Sequence, residues 1–333
     1  MKAFLIHKYG DKNVVRFEEI KEPSIGENDV LIKIHAASIN PLDLKIRDGS
    51  LKMILPYKFP IVLGNDFSGV IVKAGSNVKK FKIHDEVYGK TTKESNGSFS
   101  EFISINQNSI AKKPKNLTME ESASIPLVGL TSWQVLVERA KIKKGQKVFI
   151  QAGSGGVGSF AIQLAKYFGT TVATTVGTEN IEWVKKLGAD IVIDYKKDKF
   201  EEILHDYDVV LDTLGGDMLE KSLKILKPGG KLISLSGPPD YQFAKEMNLS
   251  FILRIAMYFL SHKFKKIAKQ NNVDYSFLFM KPNGSQLEQL NSIIESGKIH
   301  PVVDRIFPFN LTKEALDYVE EGHSKGKVIT KLI

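Results

Sequence analysis

A glycine-rich loop near the middle of the chain has the residue types and spacing of a site for a phosphate-bearing ligand. Its residues are Gly153, Ser154, Gly155, Gly156, Val157 and Gly158, which match the pattern G-x-G-x-x-G. The first glycine permits a tight turn, the second lets the backbone approach a pyrophosphate, and the third lets a helix pack closely on the sheet. The apolar run 147–151 predicts a strand before the loop, and the periodic run 157–168 predicts a helix after it. We therefore expect a dinucleotide at the helix N-terminus; the alternative is a glycine turn without a ligand.

The strand after this helix bears on the choice of dinucleotide. An NAD site has an Asp or Glu about 20 residues after the first glycine, at the end of the second strand. Residues 173–178 read ATTVGT, and the first acid comes after them, at the helix start. We expect the hydroxyls of Thr175 and Thr178, with Lys185 or Lys186 nearby, to suit the 2′-phosphate of NADP. The lysine pair is equally typical of an exposed helix face.

Two polar residues and a leucine close later strands of this region. Asp212 closes the predicted strand 208–212, and Leu235 and Ser236 close the predicted strand 231–236. Ligands of open α/β sheets bind at the carboxyl ends of the strands. We therefore expect these three residues to line the cofactor groove.

Two kinds of secondary structure alternate along the chain. The first 120 residues or so read as short strands separated by Gly and Pro, which predicts a small, mostly antiparallel β domain. From about Pro126 strands alternate with helices, which predicts a doubly wound parallel sheet. After Ile267 strand-like runs return. The sequence predicts a β domain at 1–123, a dinucleotide-binding domain at 124–267, and a return to the β domain at 268–333.

Composition excludes several classes of protein. The 333 residues are 42% hydrophobic and 26% charged, which are ordinary globular proportions. There is no cysteine, so disulfides, thiolate nucleophiles and thiolate metal ligands are excluded. No secretory signal or membrane-spanning run is visible, and we expect a cytoplasmic protein.

The net charge of +9 is concentrated in part of the chain. Residues 245–270 hold six Lys or Arg and one acid, with apolar residues near helical spacing. A solvated helix face, a lid, a dimer-packing helix and a membrane-surface contact are all compatible with this pattern. We favour the lid or dimer-packing helix. A nucleic-acid binder is supported only by charge, because no basic-aromatic interleaving or nucleic-acid motif is present.

Taken together, these motifs resemble the medium-chain dehydrogenase/reductase superfamily over essentially the whole chain, and most closely its zinc-independent quinone oxidoreductase and enone reductase branch. The segments that carry the resemblance are 39–43 (INPLD), 64–70 (GNDFSGV), 126–131 (PLVGLT), 152–158 (AGSGGVG) and 326–328 (GKV). The resemblance implies a Rossmann-type parallel sheet inserted in a split, GroES-like antiparallel β domain. It also implies a homodimer.

The resemblance also bears on metal content. Zinc-dependent relatives have a Cys where Asn40 stands, a His where Asn65 stands, and a third ligand near Leu127. None of these three residues is a usual zinc ligand. We therefore expect no metal site, and without a strong Lewis acid we expect no alcohol dehydrogenation.

What the resemblance implies instead is hydride transfer from NADPH to a quinone or to the C=C bond of an α,β-unsaturated carbonyl. The candidate catalytic residues are Asn40, Lys45 and Tyr57. Donors there would face the oxygen on which negative charge develops. By the same resemblance Thr131, Tyr195 and Lys327 join the glycine loop as candidate cofactor-binding residues. The alternative function is an NADPH-binding protein with a sensing or structural role and little turnover.

Overall fold

The computed structural model describes residues 1–95 and 97–333, and these divide into two units. The first unit comprises Met1–Leu130 and Lys281–Ile333, and the second comprises Thr131–Met280. In chain order the strands are β1 (Lys2–Ile6), β2 (Arg16–Glu19), β3 (Asp29–Ile39), β4 (Ile61–Val62), β5 (Asp66–Ala74), β6 (Glu86–Lys90), β7 (Phe102–Asn106), β8 (Ile110–Lys112), β9 (Lys147–Ile150), β10 (Thr171–Val176), β11 (Ile191–Asp194), β12 (Tyr207–Asp212), β13 (Leu226–Ser234), β14 (Asp274–Phe277), β15 (Val303–Pro308) and β16 (Lys327–Lys331).

The helices fill the connections between these strands. They are α1 (Pro41–Asp48), α2 (Met119–Ala123), α3 (Pro126–Trp133), α4 (Gly156–Tyr167), α5 (Ile181–Lys186), α6 (Phe200–Ile203), α7 (Gly216–Lys224), α8 (Tyr241–Glu246), α9 (Phe251–Gln270), α10 (Gly284–Glu295) and α11 (Thr312–Glu320). Helix α3 continues as a π-helical segment, Gln134–Ala140. Short 3₁₀ turns lie at Lys12–Val14, Gln107–Ser109, Thr178–Asn180 and Phe309–Leu311. Among the helices described, none has both the length and the apolar composition needed to cross a membrane.

The first unit is built on a mostly antiparallel sheet in which distant parts of the chain meet. Its strand order is β15-β16-β3-β5-β6-β8, and β7 also pairs with β3. A smaller antiparallel sheet has the order β2-β1-β4. The long strand β3 pairs with β5 along one edge and with β16 near its end. This pairing brings the ends of β3, β5 and β16 together, although their residues are far apart in sequence.

The second unit contains a six-stranded parallel sheet with the order β11-β10-β9-β12-β13-β14. Numbered within the unit, that order is 3-2-1-4-5-6, the arrangement of doubly wound dinucleotide-binding folds. Strand β12 is buried throughout, as expected of a parallel strand covered by helices on both faces. The predicted fold class, a parallel Rossmann-type sheet within a split GroES-like β domain, is confirmed.

The second unit also extends further along the chain than the range given from the sequence. Strand β14 pairs in parallel with β13, from Lys231 opposite Asp274 to Ser234 opposite Phe277. Residues 268–280, which the sequence analysis placed in the returning β domain, therefore lie with the parallel sheet. Their strand character is visible in the sequence, but which sheet they join depends on pairing with a strand more than 40 residues away.

Candidate active site and cofactor site

A buried polar cluster lies in the first unit, where β3, β5 and β16 converge. At its centre, Asp66 begins β5 and is fully buried. One oxygen of Asp66 accepts hydrogen bonds from the Ser38 hydroxyl at 2.8 Å and the Asn40 amide at 3.0 Å. The other oxygen accepts from the Leu127 backbone N–H at 2.8 Å. This network satisfies a carboxylate that would be costly to bury alone.

The cation that pairs with Asp66 in this cluster is Lys327, at the start of β16. Its ammonium donates to the Ile39 carbonyl at 3.1 Å and to the Asn40 side-chain oxygen, and lies 3.5 Å from Asp66. Burial lowers the pKa of Lys327, while the neighbouring charges of Asp66 and Asp43 oppose that shift. Lys327, a candidate cofactor residue from the sequence, is thus placed inside the first unit as the partner of Asn40 and Asp66.

The second carboxyl group of the cluster is Asp43, in the first turn of α1. It accepts from the Asn40 backbone N–H at 2.7 Å and from the Asn65 amide at 2.6 Å. The first of these bonds caps the helix and holds it against the strand end. Burial raises the pKa of Asp43 to about 7, although both hydrogen bonds act to lower it. Asp43 therefore titrates near neutral pH.

This raised pKa predicts a pH dependence of stability. Below pH 7 the folded protein holds a proton on Asp43 that the unfolded chain loses above about pH 4. Raising the pH through this window therefore lowers the free energy of unfolding, on the order of 3 kcal/mol between about pH 4.5 and about pH 7.5. In the Asp43→Asn variant this loss of unfolding free energy with rising pH is absent, because the amide does not titrate. Urea unfolding of both proteins at the two pH values measures it.

The control is Asp48→Asn, because Asp48 is an exposed acid on the same helix. We expect this variant to lose as much stability with rising pH as the wild type does. If Asp43→Asn shows the same loss as well, Asp43 does not titrate in this window.

A cavity of about 800 Å³ opens in the first unit beside this cluster. Among its lining residues are Tyr57, Asn65 and Thr91, which bring a phenol, an amide and a hydroxyl to its wall. Other lining residues are Ile46, Pro56, Lys58, Pro60, Ile61, Val62, Leu63, Gly64, Thr92, Lys93, Glu94, Ser95 and Gly97. The wall combines apolar residues with a similar number of polar or charged ones. Polar groups that converge beside apolar surface are found in sites for small organic ligands.

The three candidate catalytic residues are placed differently. Tyr57 lines the cavity, and no hydrogen bond joins its hydroxyl to another residue that the structure describes. Burial, aided by the nearby Asp43, raises the pKa of Tyr57 to about 12, so the phenol keeps its proton at neutral pH. Both ends of the Asn40 amide are instead engaged inside the cluster. Lys45 is exposed and lies two residues from the buried Asp43, on the other side of α1.

Lys90, a buried lysine at the end of β6, is not among the site residues predicted from the sequence. It lies opposite Asp66 in the strand register, and its ammonium donates to the Thr91 carbonyl at 3.0 Å. Burial lowers the pKa of Lys90 to about 8, against the opposing effect of Asp66 and Asp43. The available signal was an opposite-charge cross-strand pair, which becomes visible only once the register of β5 and β6 is known.

The glycine loop of the second unit lies between β9 and α4. A β-carbon on Gly153 would lie 2.3 Å from the Thr174 hydroxyl oxygen, and one on Gly158 would lie 2.2 Å from the Ala152 carbonyl. These two glycines are therefore required by packing. Gly155 caps α4 without a side-chain hydrogen bond to the helix, and a β-carbon there would meet only the Ala152 carbonyl, at 3.4 Å. The helix N-terminus is thus free to offer its N–H groups to an anion.

The ends of β10 and β11 hold the residues considered for the adenosine side of a dinucleotide. Thr175 is buried, and its hydroxyl oxygen lies 3.4 Å from the Ala152 backbone nitrogen. Thr178 donates its hydroxyl to Asp194 at 2.6 Å. Tyr195 is 62% exposed just after β11. The Thr175 hydroxyl therefore lies against the start of the glycine loop, and the Thr178 hydroxyl is engaged at the end of β11. The Tyr195 ring is exposed and accessible to a ligand.

The remaining candidates lie at the ends of β12 and β13 or in α3. Asp212 accepts from the Ser234 hydroxyl and from the Gly215 N–H, and burial raises its pKa. Leu235 is half-buried, and Ser236 is exposed with its hydroxyl donated to the Thr213 carbonyl. Asp212 thus shapes the turn after its strand. Thr131 is buried in α3, at the start of the second unit.

Comparison with known protein families supports the class that this fold and these sites define. The alcohol dehydrogenase GroES-like domain matches residues 26–115, and the zinc-binding dehydrogenase domain matches residues 187–329. The NADPH-dependent alkenal/one oxidoreductase of Arabidopsis thaliana chloroplasts is 37% identical over 343 residues, covering 99% of this chain and 79% of that protein. The mitochondrial NAD(P)H oxidoreductase RTN4IP1 of Danio rerio is 34% identical over 356 residues, covering 100% of this chain and 92% of that protein.

Solved structures agree with these relatives. The quinone oxidoreductase of Coxiella burnetii superposes with a TM-score of 0.87 at 32% identity, covering 100% of this chain and 99% of that one. The chain belongs to the medium-chain dehydrogenase/reductase superfamily, within its quinone oxidoreductase and enone reductase branch. The resemblance seen in the sequence is confirmed.

Proposed function

We propose that this protein is a zinc-independent, NADPH-dependent reductase that transfers hydride to a quinone or to the C=C bond of an α,β-unsaturated carbonyl. The observation that carries the proposal is the buried cluster around Asp66. The amides, carboxylates and ammonium of this cluster form hydrogen bonds with one another. The cluster lies beside a cavity of about 800 Å³. The relatives named as alkenal/one and quinone oxidoreductases support the same chemistry.

Zinc is implied by the name of one matching family, but the residues present do not fit it. Zn²⁺ prefers thiolate, imidazole and carboxylate ligands. Here Asn40 and Asn65 supply amides, and the Lys327 ammonium already lies against Asn40 and Asp66. Within residues 1–95 and 97–333, no group of three or more His, Cys, Asp or Glu side chains could hold a metal ion. The proposed reaction therefore uses no metal ion.

The residues of the second unit fit a dinucleotide. Gly155 leaves space at the N-terminus of α4 that any larger side chain would fill, and the helix N–H groups there suit phosphate oxygens. Bound NADPH would supply the hydride. The exposed Tyr195 ring offers a flat surface for the adenosine end. Since this pattern is shared by dinucleotide-binding sheets in general, it supports the cofactor class more strongly than the choice between NADPH and NADH.

In the first unit, the residues that line the cavity can stabilise the charge that develops on a substrate oxygen. The Tyr57 hydroxyl keeps its proton at neutral pH and is free to donate it in a hydrogen bond. Asn65 uses one amide hydrogen on Asp43, which fixes the orientation of the amide at the cavity wall. Asn40 holds Asp43 and Asp66 in place and acts as a positioning residue. Lys45 remains a candidate donor by resemblance.

Removing the Tyr57 hydroxyl tests this role. We expect Tyr57→Phe to lower kcat by about 10²–10³-fold with little change in NADPH affinity, as for other lost oxyanion donors. Steady-state NADPH consumption with short enones and quinones, with alcohols as controls, measures the effect. Tyr9→Phe is the matched control, because Tyr9 packs against the same apolar cluster. Full turnover in Tyr57→Phe would remove Tyr57 from the mechanism, and a loss in Lys45→Ala would then identify Lys45 as the donor.

We propose NADPH in preference to NADH by at least about tenfold, or roughly 1.4 kcal/mol. The support is the absence of an acid at the end of β10, and the pairing of Glu179 with Lys196 at 3.0 Å. Dissociation constants from fluorescence titration measure the preference. Equal constants for the two cofactors would contradict it.

The Gly177→Asp variant would place an acid directly after β10, where NAD sites have one. The three atoms nearest to a β-carbon there belong to the flexible end of the Glu179 side chain, which can move aside. We expect this variant to shift the preference towards NADH, and the matched Gly177→Asn variant to shift it less because it carries no charge.

A further inference from the structure

Helix α9 exposes large apolar side chains over its first half. Phe251 is 70% exposed, Ile252 78% and Phe259 69%. The opposite side of the helix is anchored, because Met257, Ser261 and Ala268 are buried. Soluble domains do not usually leave such residues side by side in water without a partner.

The second half of the same helix is basic on the same side. A single exposed stripe runs along α9 at steps of three or four residues: Phe251, Ile255, Phe259, His262, Lys266 and Lys269. We call this the α9 stripe. Its neighbour Lys263 is paired with Glu220. Among the residues described, neither Lys266 nor Lys269 forms an ion pair, so both positive charges remain available to a partner.

A second copy of this chain fits the α9 stripe poorly. Closed dimers bring the same patch of both subunits together around a twofold axis. If the two helices packed antiparallel along the whole stripe, Lys269 would face Phe251 and Lys266 would lie near Ile255, so charges would be buried against apolar groups without a partner. An antiparallel crossing centred on Ile255 would leave both lysines outside the contact. If the two helices ran parallel, each lysine would face its own copy, and like charges would repel.

We propose instead that the α9 stripe docks on an anionic lipid bilayer. The apolar part, about 12 Å long from Phe251 to Phe259, would enter the boundary between headgroups and acyl chains. Lys266 and Lys269 would then meet the lipid phosphates, whose negative charge complements theirs. This mode of binding requires a helix that lies on the membrane, and α9 has the exposed apolar face and the adjoining cations that it needs.

The test is sedimentation of the full-length protein with vesicles. We expect binding to phosphatidylcholine vesicles that contain about 30% phosphatidylglycerol, weaker binding at high salt, and little binding to phosphatidylcholine alone. Phe251→Ser/Phe259→Ser and Lys266→Gln/Lys269→Gln should each lower the partition constant by about tenfold or more. The controls are Ile203→Ser and Lys143→Gln/Lys144→Gln, which change exposed residues elsewhere in the second unit.

Three results would overturn the proposal. The first is no binding to the anionic vesicles, and the second is equal binding to neutral and anionic ones. The third is a change from dimer to monomer in Phe251→Ser/Phe259→Ser, measured by analytical ultracentrifugation, which would make the stripe a contact between copies. Circular dichroism of each variant establishes that its fold is intact, so that a loss of binding reports on the surface.

Discussion

Gly155→Val is expected to abolish NADPH binding while the protein stays folded. Gly155 has φ −79°, which any residue adopts, and its β-carbon would meet only the Ala152 carbonyl at 3.4 Å. Glycine at this position is therefore not required by the loop itself. The two extra methyl groups of valine would occupy the space where backbone and pyrophosphate must meet. The expected effect is a loss of measurable affinity.

Fluorescence titration measures the affinity for NADPH, and thermal unfolding measures whether the variant stays folded. The contrast variant is Gly158→Ala, whose β-carbon would lie 2.2 Å from the Ala152 carbonyl. That change should lower the unfolding temperature, because backbone cannot move aside as a flexible side chain does. Unchanged NADPH affinity in a folded Gly155→Val protein would mean that the loop is only a turn.

The second large effect is a loss of folding stability, expected when Lys327 is replaced. Lys327→Met removes the ammonium that lies against Asn40 and Asp66, and leaves the buried Asp66 carboxylate without its ion-pair partner. Breaking one side of a buried ion pair costs about 3–5 kcal/mol, because the remaining charge stays buried and uncompensated. Methionine keeps most of the side-chain volume, so the loss reports on charge and hydrogen bonding more than on packing.

Urea unfolding near neutral pH measures this loss. The matched control is Lys331→Met on the same strand, where Lys331 is half exposed and pairs with Glu120 at 2.7 Å. An exposed pair contributes about 1 kcal/mol or less. Similar losses in the two variants would mean that the Lys327 charge does not stabilise the cluster.

The parts that the sequence predicts well are those specified by neighbouring residues. The glycine loop lies within six positions, and the strand before it and the helix after it are visible as local patterns. The parallel sheet follows because strands alternate with helices, and a parallel connection needs such a crossover. The split of the β domain was also predicted, because strand-like runs return after Ile267, and the superfamily resemblance implies the same split.

The site in the first unit was less predictable, because long-range pairing creates it. Lys327 and Asp66 are 261 positions apart, and they meet only because β16 and β5 both pair with β3. For the same reason the sequence could not show that the Asn40 amide is engaged at both ends, or that Lys90 lies opposite Asp66. Residue types suggested which side chains could donate hydrogen bonds to a substrate. Burial and the hydrogen bonds already formed within the protein decide which of these side chains can do so.

The most direct test of the proposed function follows the hydride itself. The protein is incubated with NADPH deuterated at the transferable position and with a short enone, and the product is analysed by NMR and mass spectrometry. The proposed function predicts a saturated ketone with one deuterium on the former β-carbon, and reduction of a quinone by the same preparation. An allylic alcohol with deuterium on the carbon that carries the hydroxyl group, the former carbonyl carbon, would contradict it, as would oxidation of ethanol faster than reduction of any enone or quinone.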